Sequence, residues 1–347
     1  ERLTLEDALA LYEDNDLLFL ADCARRAKEK KSGRSVYYTV NRHINLTNIC
    51  SSNCPLCAFQ VEAGDARGFV MEPGDIERVL EQAKKTPNLS EIHIVSALHP
   101  DKPFSYYRAV VRQVKAALPH VDVKAFTPVE IVNFAKMTGK SIREVLSLLK
   151  EDGLDSLPGG GAEILSDRVR AIICPKKATT DEWIETMKAA HSLGIRTNAS
   201  IMYGHVETIE ERLQHFITIR EIQDETGGFQ TFICFPFLPK HTELGKEVKQ
   251  TSMWDDLCTM AISRLMLDNF KNIKAYWVML TVPVAQVALS FGANDIDGTV
   301  HKETILHDAG AQSPTALSED NIIRIIKEAG RTPAACDCNF NILRIIE

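Results

Sequence analysis

The chain has 347 residues, 45% hydrophobic and 25% charged, a composition that excludes a disordered or fibrous protein and suits one large α/β barrel. With 40 Lys and Arg against 47 Asp and Glu, its formal charge is -7, and no Lys/Arg stripe with interleaved aromatics occurs; a general nucleic-acid binder is excluded. No apolar run approaches the roughly 20 residues of a membrane span, and no secretory signal pattern is read, so the expectation is a cytoplasmic protein without a membrane partner.

Short apolar or β-branched runs alternate along the chain with longer amphipathic stretches. Strands are expected over Thr39–Asn45, Glu91–Ala97, Val121–Phe126, Gly153–Leu157, Arg196–Met202, Phe229–Phe235, Ile273–Met279 and Leu289–Asp295. Helices are expected over Gly74–Lys84, Ser105–Ala117, Ser141–Lys150, Thr180–Ser192, Thr208–Thr226 and Ser252–Phe270, several opened by a Ser or Thr cap. This is the arithmetic of a TIM-type (β/α)8 barrel, with a six-unit partial barrel plus a C-terminal extension as the alternative. The expected organisation is an N-terminal helical segment over 1–35, the barrel over 36–310, and a helical extension packed on it over 311–347. Sites in such folds sit in the loops that follow the strands, so those loops are where chemistry is sought.

Nine cysteines, an odd number, stand in a chain too large to depend on disulfides; they suggest a reducing compartment and cysteine kept for metal chemistry or packing. Directly after the first strand, NLTNICSSNCPLCAF places Cys50, Cys54 and Cys57 in a C-x3-C-x2-C array. Three thiolates hold three irons of a four-iron cluster and leave the fourth open to a small chelator. Zinc with a distant fourth ligand, or cysteines grouped by chance, are the alternatives. Cys336 and Cys338 form a C-x-C near the end, and nothing in the spacing supplies the one or two further ligands that an auxiliary cluster would need.

Other loops carry weaker signals. Ser96, Ala97 and His99 follow the second strand; LDSLPGGGAEI follows with Asp155, Ser156 and Glu163 around three glycines that let backbone approach a ligand closely. A tight turn explains those glycines equally well. Lys177 is a candidate partner for a carboxylate, and NASIMYGHVET brings Ser200, Met202, Gly204 and His205 after the fifth strand.

The cysteine array after strand one resembles the radical S-adenosylmethionine superfamily. The resemblance implies a [4Fe-4S] cluster and S-adenosyl-L-methionine, which the cluster cleaves reductively to methionine and a 5'-deoxyadenosyl radical. The loop from Ser200 resembles the superfamily's adenine-binding pattern, with Gly204 and Glu207 intact. Two departures stand out: Leu56 replaces the usual aromatic before the third cysteine, and Ser96 and Ala97 replace a Gly-Gly-Glu whose backbone oxygens take the cosubstrate ammonium.

Longer segments narrow the resemblance. VNRHINLTNIC, LHPDKPFSYY, VKAFTPVEI, GLDSLPGGGAEI, TNASIMYGHVET, IQDETGGFQTF and FGANDIDGTV look like the aminofutalosine synthase family of menaquinone biosynthesis, over Val36 to Gly310. Cyclic dehypoxanthine futalosine synthases and deazaflavin (FO) synthase subunits share several of these segments. The first family implies addition of the 5'-deoxyadenosyl radical to 3-[(1-carboxyvinyl)oxy]benzoate, rearrangement and loss of a carboxylate, giving 6-amino-6-deoxyfutalosine. It also implies an external one-electron donor such as flavodoxin or ferredoxin. A dianionic substrate needs donors at the rim; Arg67, His99, His205 and Asn294 are the candidates, with Asp295 and Asp297 to orient them.

Overall fold

The computed structural model describes residues 2–14, 16–301 and 303–347. Its strands are β1 (Ser35–Thr39), β2 (Asn41–Asn45), β3 (Glu91–Val95), β4 (Asp122–Ala125), β5 (Ser156–Leu157), β6 (Arg196–Tyr203), β7 (Phe229–Pro236), β8 (Asn272–Lys274), β9 (Asp295–Gly298), β10 (Thr332–Cys336) and β11 (Ile342–Ile345). From β2 to β9 each strand pairs in parallel with the next in chain order. β1 and β2 are two halves of one run, broken only at Val40. β1 pairs with β9, Tyr37 opposite Asp295 and Thr39 opposite Gly298, while β2 pairs with β3. The ring of a TIM-type α/β barrel is thereby drawn together through a single stretch of chain. Its wall is thinnest at β5, two residues long, and between β8 and β9, joined by the one pair Lys274–Asp295.

Period-two alternation gives the wall two faces. In β3, Ile92 and Ile94 are fully buried in a helical layer with Tyr107, Val110 and Leu146, whereas Glu91, His93 and Val95 turn into the lumen. In β6, Ala199, Ile201 and Tyr203 pack outward with Leu213 and Phe216, whereas Asn198 and Met202 face inward. Helices return the chain between strands, and their starts are fixed by reciprocal caps at Thr127/Glu130, Ser141/Glu144, Thr179/Glu182 and Thr208/Glu211. The cap of the third such helix is therefore Thr179, one residue before the Thr180 expected.

Residues 5–32 form helices Leu5–Asp14 and Leu17–Ser32, which pack on Ile209–Thr226 and Met253–Met266 respectively. The segment 311–347 differs from the helical extension expected. It has one helix, Glu319–Glu328, and then β10, parallel to β1 (Ser35 opposite Thr332), and β11, antiparallel to β10. Pro333 and the small residues after it break the helical period and fit an extended strand. Beyond β10 the chain runs under the base of the barrel. Ser90 Oγ donates to Cys336 O at 3.3 Å and Cys338 N to Asp122 Oδ2 at 3.0 Å, and both cysteines are buried.

The last two barrel units also differ. β8 ends at Lys274 and helix Trp277–Leu280 follows, because a run of large apolar residues reads as strand or buried helix with equal ease. Residues 289–294 are the turn after helix Val282–Ala288, reversed at Gly292 with φ +99°, and the strand begins at Asp295 rather than ending there. Among the described residues no helix is long and apolar enough to cross a membrane.

Candidate active site

The loop from β2 makes a long excursion and is tied back on itself. Asn48 accepts from Phe69 N (2.9 Å) and donates to Arg67 O (3.1 Å); Cys50 N donates to Val61 O (3.0 Å); Ser51 N donates to Leu98 O (3.0 Å). These bonds aim Cys50, Cys54 and Cys57 at one cavity of about 300 Å³ that runs from the loop into the barrel. Burial pushes the Cys54 thiol up to about 12 and raises Cys57, while the Lys177 ammonium and amides of Phe59 and Gln60 pull the other way. Only the thiolate binds a metal, so loading this site releases these protons. Among the described residues no three His, Cys, Asp or Glu side chains converge on one metal ion. Thiols that face one cavity without converging fit a cluster, which takes one thiolate at each of three corners.

Beside the thiols, Lys177 Nζ meets Glu163 at 2.6 Å; Glu163 is buried and Lys177 half-buried. Burial alone would raise the Glu163 carboxyl, but Lys177 outweighs it and holds the group below its ordinary value. Lys177 is correspondingly held charged against the pull of burial by Glu163, and next by Cys54 and Cys174. Glu163 sits at φ +47°, and its carbonyl accepts from Met202 N at 2.6 Å, locking the loop after β5 to β6. The three glycines serve this contact. A Cβ on Gly159 would come within 2.8 Å of Asn198 O, and Gly161 holds φ +83° against Val129.

Glu130, missed in the sequence, reaches the same cavity from the cap of helix Pro128–Thr138. It accepts from Ser96 N (2.9 Å), Thr127 N (2.7 Å) and Thr127 Oγ1 (2.8 Å), and burial pushes its carboxyl up to about 8. It thereby fixes Ser96 and Ala97, both of which line the cavity. Leu56 packs into the larger core, and Phe59 lines the cavity.

The cavity thus gathers Cys50, Cys54, Cys57, Ser96, Ala97, Glu163, Lys177, Met202 and Asp297 of the expected residues, and the others do not line it. Arg67 is on the surface, its fork spent on Asp65 at 2.7 and 3.1 Å. His99 Nδ1 accepts from Asp101 N (3.0 Å) and Lys102 N (3.3 Å), capping a turn. His205 has both ring nitrogens engaged, Nδ1 with Glu207 at 2.9 Å and Nε2 with Met202 O at 3.0 Å. Asn294 lies before β9, at the base, and bonds Arg264 at 2.7 Å and Ile273 N at 2.9 Å. Asp155 likewise precedes β5 and pairs with Lys115 at 2.6 Å. Ser156 is buried low on β5; Ser200 Oγ donates to Gly159 O at 2.7 Å; Gly204 N donates to Glu207 at 2.6 Å. These are scaffold positions, displaced because a strand boundary was set a few residues off, or because a neighbouring carboxylate takes the donor.

Residues 44–218 match the radical SAM superfamily and residues 226–347 match the CofH/MqnC C-terminal region; the chain belongs to the radical SAM superfamily. It is a radical SAM enzyme, whose cofactors are a [4Fe-4S] cluster and S-adenosylmethionine. The aminodeoxyfutalosine synthase of Thermus thermophilus is 43% identical to it, over 99% of this chain and 93% of the relative. The 5-amino-6-(D-ribitylamino)uracil–L-tyrosine 4-hydroxyphenyl transferase of Archaeoglobus fulgidus is 41% identical over 90% of each chain. Methylornithine synthase shares the fold with a TM-score of 0.73 at 16% identity, covering 96% of this chain and 95% of the other.

Proposed function

We propose that this enzyme makes 6-amino-6-deoxyfutalosine from S-adenosylmethionine and 3-[(1-carboxyvinyl)oxy]benzoate, as a step toward menaquinone in the cytoplasm. One observation carries the reading: the three thiols open directly into a closed-walled cavity, so a substrate held there is adjacent to the cosubstrate. The likeness to aminodeoxyfutalosine synthases, over nearly the whole of both chains, supports this reaction. Cys50, Cys54 and Cys57 would hold the cluster. When bound, it supplies the electron that splits S-adenosylmethionine into methionine and the 5'-deoxyadenosyl radical. Lys177 would take the cosubstrate carboxylate, Glu163 a ribose hydroxyl or the ammonium, and the Ser96–Ala97 backbone the ammonium. In the overall change, C5' bonds to the alkene terminus, the aryl ring passes from the ether oxygen to the adjacent carbon, and that oxygen becomes the ketone oxygen. The carboxylate leaves with the unpaired electron, which it gives up on becoming carbon dioxide or bicarbonate, so that the electron spent on S-adenosylmethionine is returned. Phe59, Val95, Val129, Ile233, Phe235 and Met279 give the walls their apolar surface, which excludes water while this happens. The electron would come from a small donor protein such as flavodoxin or ferredoxin.

The Archaeoglobus relative supports a second reading, aryl transfer from L-tyrosine to an aminouracil. Anaerobic incubation with reductant and S-adenosylmethionine, offering in parallel the enolpyruvyl benzoate and the tyrosine–aminouracil pair, separates the two by product mass. A product of the second pair alone overturns the first reading.

A further inference from the structure

Below the cluster loop the lumen ends on a polar floor that neither the cluster nor the cosubstrate explains. His43 and His93 are opposite one another on β2 and β3, their ring centroids 4.6 Å apart. Both rings are surrounded by protein and line the cavity, and neither Nε2 has a hydrogen-bond partner. A buried polar nitrogen left unpaired is costly, so two such atoms on residues that line one cavity mark the place of a ligand. Burial lowers His43, and burial together with His43 lowers His93 well below its ordinary value, so both imidazoles are neutral and each can present an Nε2 proton.

The cations behind them are already matched. Lys124 meets Glu91 at 2.5 Å, and Lys274 bonds Asp297 and lies 3.5 Å from Asp295. Of the carboxylates on the same lining, Glu91 and Asp297 are taken by these two ammonium groups and Glu303 by His307 and Leu306 N. Among the described residues the unpartnered ring nitrogens on the lining are therefore those of the histidine pair, with Gln60 Oε1, Ser96 Oγ and Asn198 Oδ1 the other unpartnered polar side-chain atoms there. Resting on the reaction proposed above, the geometry of the substrate decides what arrives there. Its alkene must stand at the thiol end, next to C5'. The ring carboxylate, meta to the ether oxygen, projects away from the alkene and down the lumen. Of the cationic side chains that line the cavity, Lys177 is committed to the cosubstrate end; Lys124 and Lys274 are at the floor.

We propose that His43 and His93 form the anchoring site for the aryl carboxylate, donating from Nε2 to its two oxygens. They are positioning and specificity residues: they set how deep the ring sits and hence where the alkene meets the radical.

The test is a cycle of two substrates and two enzymes. Wild-type holoenzyme and the His43→Phe and His93→Phe variants, each reconstituted, are given the enolpyruvyl benzoate and the same molecule without its ring carboxylate. Binding is read by competition, and uncoupled 5'-deoxyadenosine formation without substrate reports on an intact cluster and cosubstrate site. Loss of hydrogen bonds to a charged group predicts that removing the ring carboxylate weakens wild-type binding by about tenfold to a hundredfold. In each variant that discrimination shrinks by about tenfold, while uncoupled cleavage is unchanged. His43→Gln and His93→Gln, which keep an N–H, recover part of it. Variants that discriminate as the wild type does would overturn the anchor, even if wild-type turnover upholds the reaction. A wild type that makes no aminodeoxyfutalosine overturns the reaction instead.

Discussion

Cys54 is the cluster cysteine with the least contact with solvent, only 3% exposed, and its thiol is the one pushed furthest from ionisation. Replacing it with Ala removes one corner of the cluster without adding volume. Iron and sulfide per chain after anaerobic reconstitution should fall from about four each toward three or fewer, with 5'-deoxyadenosine formation lost; full iron content with activity would refute the assignment. Lys177 makes a sharper case, because its removal also strands Glu163. Lys177→Met should destabilise the fold by about 3–5 kcal/mol by leaving a buried charge unpaired. Adding Glu163→Gln should restore most of the melting temperature but none of the lost S-adenosylmethionine affinity. If the double variant binds the cosubstrate normally, Lys177 is structural only. The cysteine array was legible in its spacing, since three thiolates at that pitch on one loop suit a cluster better than a four-ligand zinc site. His43, His93, Lys124 and Lys274 were equally visible as polar side chains at alternate positions within strands, but attention to the loops after strands passed over them. Arg67, His99, His205 and Asn294 were named because donors were expected at the rim; each is instead consumed by a local partner that no spacing rule reveals.

Among elements, the loop after β5 does most to couple fold and site. β5 has two residues of ladder, so the loop's position depends on Gly159 lying against β6 and on Glu163 O accepting from Met202 N. Gly159→Ala places a methyl group against backbone atoms that do not yield, and β5 must move off β6. The expected result is a melting temperature lower by several degrees and a KM for S-adenosylmethionine raised about tenfold or more, with iron content unchanged. A variant with wild-type KM would show that the glycines serve only the turn. Six barrel strands and six helices were legible from periodicity, because long amphipathic helices and β-branched strands each repeat their signal. The region after Lys274 was not. There the strands are three or four residues long, and the intervening helix is as apolar as a buried strand, so pattern carries no information about which is which.

For the whole molecule, acid stability is set by histidines that are buried neutral. Burial lowers His215 to about 3, and burial, then Arg196, lowers His191 to about 4, from an ordinary value of 6.5. Between those limits the unfolded chain carries protons that the folded chain refuses, so stability is full above about pH 6.5 and declines as pH falls, at about 1.4 kcal/mol per pH unit for each residue. Melting followed by circular dichroism should show the decline beginning near 6.5, and His191→Gln should make its upper part shallower. A flat profile down to pH 4.5 would contradict the burial of both rings.

The pairing that draws the ring together, β1 between β9 and β10, joins residues near the start of the barrel to residues synthesised much later, Ser35 against Thr332. The cysteine loop is made early, yet the lumen above which it sits has no floor until residues 336–338 have arrived beneath β3 and β4. Contacts so distant in sequence form late. A cluster delivered to a chain still on the ribosome would meet open water on both sides, so the expected order is barrel first and metal second, and iron-starved cells should then accumulate a folded, colourless enzyme; a misfolded apo chain would overturn that order.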